Sequence, residues 1–550
     1  GGGTLDMGAN ALTLTGAIGG AGTLTKTGSG TLTLSGNSQA FTGATRVNAG
    51  ALALSGSLGG GVVVAAGSLL TGTGTAASFD IAGTVAPGTS PGTLTATGDV
   101  TFRAGSTYQV EIAAAGATDR INAGGRAILE GGTVAVTTLD PQLNYVDGST
   151  YRILQAAGGR TGTFAGLTEN SAFLDFSLGY DATGAFLNVA VIRTFPDVAL
   201  TFNQIEASRA LAAFGTAAGS DSLSVYNSIL LLNDGAARSA FDAASGEIYP
   251  VLLASEVERS AAALRRTATR AYLGRGEGWG IWGSASTVEG RVDGDGNGAE
   301  YSHSATGGEA GIDYRTERWG AGISAGFSDG DVDLPDRGSR ADVKSRFVSA
   351  YGRLGSGGAG VTAVVAASYG WSDADVARAL SVGALSRGAD SSPSVESWSA
   401  AGELRYGFAL GAGWSVGPTA FIEHGAGSLD GVAETGAGSL VLTGSGGDAE
   451  RTRYGAGAFM RWEGAAGSID ATLAYAGGGG DPAEIGLLMS GAASTSYRVR
   501  SAVPNEGEAA LGLAGRLDLG GGWSIGGGAN ARIGSRQRVL QGEATIGWRF

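Results

Sequence analysis

Apolar and polar residues alternate along most of this chain, with one interruption. Between residues 1 and 94 the alternating runs are short: Thr31 to Leu34 and Ala51 to Leu54 sit within GTLTKTGSGTLTLSG, FTGATRVNAGALALSG and VVVAAGSLLTGTGT, separated by Gly, Asn and Ser. Successive strand side chains face opposite sides, so each run is a short strand with one oily face, ended by a turn residue that tolerates positive φ. A single rung cannot bury that face. Stacking rungs buries it and pairs each backbone with the next, which predicts a right-handed parallel β-helix. A flexible Gly/Ser linker would not place Leu and Val at every second position. Over 95–194 the runs lengthen and gain larger apolar groups (TYQVEIAAAG, TVAVTTL, TYRILQAAGG, FLDFSLGYD, FLNVAVI). This predicts the C-terminal cap of the solenoid, where a terminal repeat lacks a neighbour.

At 195 the period changes to that of a helix. Leu200, Ile205 and Leu211 share a stripe, and 195–250 reads as a helical linker. Residues 251–274 then predict a helix of small residues studded with Glu256, Glu258, Arg259, Arg265, Arg266 and Arg270 and lacking a broad apolar face. Such a helix packs poorly on an oily core; it suits a polar, water-lined tunnel, the bland alternative being an exposed linker helix.

Alternation returns from 275 to the end, in about twelve strands long enough to span an outer membrane. In SWSAAGELRYGF, Trp398, Leu404, Tyr406 and Phe408 share one face and Ser399, Glu403 and Arg405 the other. Aromatics gather at strand ends, where Trp and Tyr sit at lipid headgroups. The connections alternate long and short: EGRVDGDGNGAE and then RTER, SDGDVDLPDRGSRAD and then GSGGAG, and so on to the long connection that precedes the tenth strand. A soluble sandwich has no reason to keep that rhythm, whereas a membrane barrel has tight periplasmic turns and long outer loops. In the closing GEATIGWRF, Ala544, Ile546, Trp548 and Phe550 point one way and Thr545, Gly547 and Arg549 the other.

Composition sharpens this. The chain has 550 residues, more than one core usually serves, with 101 glycines, 10 prolines and 16% charged residues, as suits short strands and tight turns. No stretch approaches the roughly 18 to 20 apolar residues of a membrane helix. The net charge of -14 argues against a nucleic-acid partner, which needs clustered cations. The absence of cysteine removes disulfides, thiolate metal sites and a Cys nucleophile, and suits export through a narrow pore. The chain opens at Gly1 within a repeat, so it reads as part of something longer.

Candidate chemistry is sparse. The run 292–300 matches the opening of a calcium loop, with Asp293, Asp295 and Asn297 as oxygen ligands and Gly298 at the turn; Ser304 stands where a closing Glu belongs, so the site is incomplete and an acidic hairpin tip is the competing reading. His303 and His424 both fall near outer strand ends, where a protease activating water with Asp and His is conceivable and a polar rim histidine is the ordinary case. No nucleophile elbow surrounds any Ser, and no Gly-rich run stands between a strand and a helix. No catalytic residue and no cofactor is expected, and the chain is read as not an enzyme.

These segments together resemble the monomeric (type Va) autotransporters of Gram-negative bacteria. GTLTLSG with FTGATRVNAGALALSG is similar to the passenger-associated transport repeat, SGEIYPVLLASEVERSAAALRRTATRAYL to the pore-threading segment, and GEATIGWRF to the barrel-insertion signal. The resemblance implies a twelve-stranded antiparallel transmembrane barrel threaded by an α-helix, with a β-helical passenger outside and 95–194 acting as an autochaperone. It implies that Ile546, Gly547, Trp548 and Phe550 are handed to the barrel assembly machinery after escort by periplasmic chaperones. Members that cut themselves do so at paired asparagines, which 245–273 lacks. The expected function is anchoring in outer-membrane lipid and display of the passenger for adhesion or self-association with a host or self surface ligand. The alternative is the back end of a secreted protease or esterase whose catalytic domain precedes residue 1; a diffusion porin would be plugged by the helix.

Overall fold

In the computed structural model, which describes residues 2–113, 116–139, 145–274, 276–355, 358–503 and 507–550, every second residue of the N-terminal runs joins an inward ladder. Leu32, Leu52, Leu70, Val85, Tyr108 and Val134 stand in register on successive rungs, all fully buried. Part of TYQVEIAAAG (114–115), part of the GSGGAG turn (356–357) and 504–506 lie outside the described residues. The rungs build three sheets of eight strands each, parallel throughout two of them. The third ends in an antiparallel hairpin, Leu174–Asp181 with Gly184–Val191, so the solenoid stops on a strand pair that needs no further rung. Its end is closed by α2 (Asp221–Leu230), which follows α1 (Phe202–Ala212) in the chain. Ser171 Oγ donates to Leu230 O at 2.8 Å, and Phe195 packs between Phe173 and Tyr226. Residues 1–198 and 215–237 form this unit.

Among the described residues, two charged side chains are buried inside it. Lys26 takes an inward place opposite Val47 and is fully buried, its ammonium donating to Gly28 O at 2.7 Å and Ala49 O at 2.6 Å. Burial pushes that ammonium below the ordinary lysine range, with Asp6 opposing. The carbonyl cradle exists because Gly50, at φ +69°, has no side chain: a Cβ there would lie 2.3 Å from Lys26 Nζ. Asp119 accepts from Gly92 N at 2.6 Å and Glu111 N at 2.9 Å; burial nevertheless pushes its carboxyl up to about 6.

The second unit is 199–214 and 238–550. Thirteen strands make its antiparallel sheet; twelve close into a barrel, from Gly278–Val292 to Gln537–Arg549, and these two pair along their whole length. The thirteenth, Leu385–Ser391, folds back on the fifth barrel strand, Gly360–Val382. Here the chain departs from the expected long loops. The segment SDGDVDLPDRGSRAD is mostly strand, since the third and fourth strands run to Leu334 and from Ser339. Alternation simply continues beyond the length a bilayer requires. The later outer connections add a four-stranded sheet of Val432–Ala433, Leu442–Gly444, Glu484–Met489 and Ser496–Arg500. Against it lies α1, where Asn203 exchanges two hydrogen bonds with the Arg500 backbone (2.8 and 2.9 Å) and Arg500 covers the Phe202 ring at 3.9 Å. The remaining helices are α3 (Asp234–Ala244) and α4 (Ile248–Leu273).

Candidate translocation pore

The barrel wall is apolar outside and polar within. Ile323, Val365, Leu404, Ile422 and Leu473 are each more than half exposed, while Glu423, Arg453, Arg461, Asp470 and Arg532 face inward and are buried. Strand alternation puts charges at many inward positions, among aromatic and small residues, and α4 supplies partners to several of them. It is encircled: Arg259 donates to Ser304 O (2.6 Å) and Asp331 O (2.7 Å), Ser260 bonds Ser399 (3.0 Å), Gln541 donates to Ala262 O (3.1 Å) and Arg461 to Tyr272 O (3.0 Å).

Two charge clusters fix the helix. In the first, Glu258 meets Arg265 (3.2 Å), Arg451 (3.6 Å) and Arg453; Arg265 also reaches Glu423 (2.7 Å), and Arg532 joins Glu423 (2.7 Å) to Glu508 (2.9 Å). In the second, Asp313 gathers Arg270 (3.5 Å), Arg315 (3.1 Å), Arg549 (2.6 Å) and the Tyr351 hydroxyl (2.9 Å). Each carboxylate of these clusters has more than one cation, so none of them is left uncompensated. Glu256 pairs with Arg259 at 2.7 Å and accepts from Ser372 at 2.5 Å. Arg266 lies over the Phe347 ring and Arg270 over Trp282. All six charged positions singled out on the helix therefore face partners in the lumen. Their barrel partners, Asp313, Glu423, Arg453, Glu508 and Arg532, were missed; the available signal is that each is a charge on the inward phase of an alternating strand. Gly274 was missed too: a Cβ there would lie 1.8 Å from the Arg315 guanidinium. A cavity of about 140 Å³ remains beside the helix, lined by Arg265, Tyr272, Glu403, Arg405 and Asn530.

The direction of α4 is fixed at both ends. Near its start Glu247 pairs with Arg337 at 2.8 Å, in the turn after the third strand, and Tyr249 donates to Glu434 at 2.6 Å, in an outer connection. Its last turn lies by Arg461 and Arg315, near the short turns. The polypeptide thus enters the lumen from the side of the long connections.

The other candidate residues have local roles. Asp295 Oδ1 accepts from the backbone N of Asn297 and Gly298, and its Oδ2 from Val503 N; Asn297 accepts from Asn203 N; Asp293 lies 3.5 Å from Arg291. Among the described residues no group of three or more His, Asp or Glu is placed to hold a metal ion. His303 faces inward and is buried, whereas His424 faces outward, against Trp398 and 2.8 Å from the Thr452 hydroxyl. In the terminal strand Ile546 and Phe550 are exposed, Trp548 stacks on Phe550 at 4.8 Å, and Gly547 faces the lumen, where a Cβ would come within 3.5 Å of Arg270.

A closed twelve-stranded wall with an oily exterior, enclosing a charged helix, defines an outer-membrane translocator. The family model of the autotransporter β-domain matches residues 281–530 and that of the passenger-associated transport repeat residues 24–54. The chain belongs to the autotransporters: its barrel, in the outer membrane, anchors and translocates an extracellular β-helical passenger. An extracellular serine protease of Serratia marcescens is 36% identical over 207 residues, 35% of this chain and 19% of that protein, and a second of the same description is 32% identical over 206 residues. Of solved structures, the translocator domain of autotransporter NalP from Neisseria meningitidis is similar with 16% identity and a TM-score of 0.46, over 56% of this chain and 100% of that one. The transport unit of autotransporter AIDA-I from Escherichia coli has 14% identity and a TM-score of 0.36, over 53% and 99%. The protease relatives correct the expectation that the chain is not an enzyme. That expectation rested on the absence of reactive constellations in these residues, whereas the relatives align through the translocator region alone and the chain spans about a fifth of their length.

Proposed function

We propose that this chain exports a passenger belonging to a secreted serine protease, and that α4 is the trailing part of the exported polypeptide, held in the pore once transport ends. The observation that carries the transport reading is the encircled α4, entering from the long-connection side. The protease reading is supported by the two relatives named above. Folding of successive rungs outside would bias the chain outward without a nucleotide, because each rung buries apolar area only after it emerges. Ile546, Trp548 and Phe550 would serve as the handle for the barrel assembly machinery, being outward-facing and at the end of the strand that closes the barrel, with periplasmic chaperones guarding the unfolded wall strands.

Surface protease added to intact cells expressing the chain should remove epitopes within 1–194 while sparing the barrel; protection of 1–194 would overturn the transport reading. Phe550→Ala should lower the fraction of heat-modifiable, folded barrel several-fold, and an unchanged fraction would remove the handle role. A fluorophosphonate probe applied to the natural protein should label a passenger serine; failure to label an active secreted protein would reject the protease reading.

A further inference from the structure

The outer wall of the third to fifth strands carries two cations whose side chains make no direct ion pair with the protein. Alternation points Lys344 and Arg346 outward with Val348, and all three are exposed. In register, Arg346 stands between Phe327 and Trp371, and Lys344 between Asp329 and Asp373. Phe327, Val348, Val365 and Tyr369 continue the wall toward the short-turn end as an oily surface, so these cations mark the level at which hydrocarbon gives way to headgroups. Two other outward cations of this rim are satisfied by the chain itself: Arg291 pairs with Glu300 at 2.6 Å and Arg340 with Asp342 at 2.7 Å. Among the described residues neither the Lys344 ammonium nor the Arg346 guanidinium has a hydrogen-bond or ion-pair partner, although Asp329 and Asp373 stand opposite Lys344 in register. A guanidinium set between two aromatic rings at a lipid boundary is poorly placed for bulk water. It is well placed for an anion that arrives with the lipid.

We propose that Lys344 and Arg346 bind the phosphate of an outer-leaflet lipid, with Phe327 and Trp371 packing on the chains beneath it. Residues two apart on one strand project side by side at about 7 Å, a span that one phosphate with several anionic oxygens can bridge through charge-assisted hydrogen bonds. Phosphate is favoured over a carboxylate because its several anionic oxygens can take the planar guanidinium fork and the ammonium at once, an attraction that must exceed the repulsion from Asp329 and Asp373. The proposal rests on the wall being embedded in lipid, as its exposed apolar face requires.

The test uses the full chain folded in neutral detergent, with phosphorylated lipid A and its dephosphorylated form as probes and bound lipid counted by native mass spectrometry. The wild type should hold the phosphorylated form about tenfold more tightly, and the Lys344→Ala/Arg346→Ala double variant should bind both forms alike. Both side chains point away from the lumen, so the heat-dependent gel shift of the variant should match the wild type and certify its fold; Lys344→Arg should keep the preference. Equal binding of the two lipids by the wild type, or an undiminished preference in the double variant, would overturn the proposal. Complete displacement by millimolar inorganic phosphate would overturn the lipid as the source of the anion, whereas loss of the oily wall's detergent belt would instead overturn the membrane reading beneath it.

Discussion

Solenoid and barrel are written in the same period of two and use it in opposite senses. In the solenoid the inward ladder is Leu32, Leu52, Leu70 and Val85 and the outward positions are Thr, Ser and Arg. In the barrel the inward positions include Glu423, Arg453 and Arg532, and the outward ones Ile422, Tyr454 and Leu473. Alternation fixes that two faces exist but not which one meets water. In the solenoid each rung has only its neighbours to hide against, so oil goes inside. In the barrel the surrounding lipid takes the oil and the lumen takes the charge.

The comparison can be broken most severely at the lumen. Glu258→Ala leaves Arg265, Arg451 and Arg453 facing each other around a lost carboxylate, and removing one partner of a buried ion cluster costs about 3–5 kcal/mol. The heat-dependent gel shift of the folded barrel should occur at a clearly lower temperature; an unchanged transition would mean the helix is not held by this cluster. Next in size is one substitution made on both inner and outer faces. Leu52→Ala opens a cavity in the solenoid and should cost about 3 kcal/mol, whereas Leu473→Ala, facing lipid that can close around it, should cost far less. The two units can be read separately because all nine tryptophans lie between 279 and 548: Trp fluorescence reports the barrel, and far-UV circular dichroism in urea reports both. Equal losses at the two positions would erase the distinction.

The smallest effect is a pH dependence confined to the solenoid. The Asp119 carboxyl titrates at about 6 in the folded unit and near 4 in an unfolded chain. A raised carboxyl contributes stability that is fully present below the unfolded value and lost as pH rises through the folded one. Solenoid stability should therefore fall between about pH 4 and pH 6, and Asp119→Asn should flatten that slope. A steeper slope in the variant would refute the assignment.

What could be read from the residues alone follows the same line. Strand number, the oily outer face and the unusual helix are local patterns: a period, an aromatic at a strand end, a run of small residues with arginines. The partners of that helix are not local. Whether Glu258 meets Arg453 depends on barrel stagger and on the rotation of α4, neither of which a period records. Outer connections such as SDGDVDLPDRGSRAD misled because Asp and Gly suggest turns, yet the alternation beneath them continued as strand. The calcium-like run is ambiguous for a different reason, since an Asp followed by Asn-Gly is also how a carboxylate gathers the backbone N–H groups of its own turn, as Asp295 does. The relatives described as proteases share only about 207 residues with this chain, through the translocator region, and no reactive constellation stands out in the pattern of that region.

The chain contains only two lysines, and the fold treats them oppositely. Lys26 is sealed in a carbonyl cradle between rungs, and Lys344 projects from the outer wall. Amine-reactive tagging of this chain, read peptide by peptide, thus reports each unit on its own: Lys26 should react only when the rungs around its cradle open, and Lys344 should react in the folded barrel to the extent that no lipid phosphate holds it.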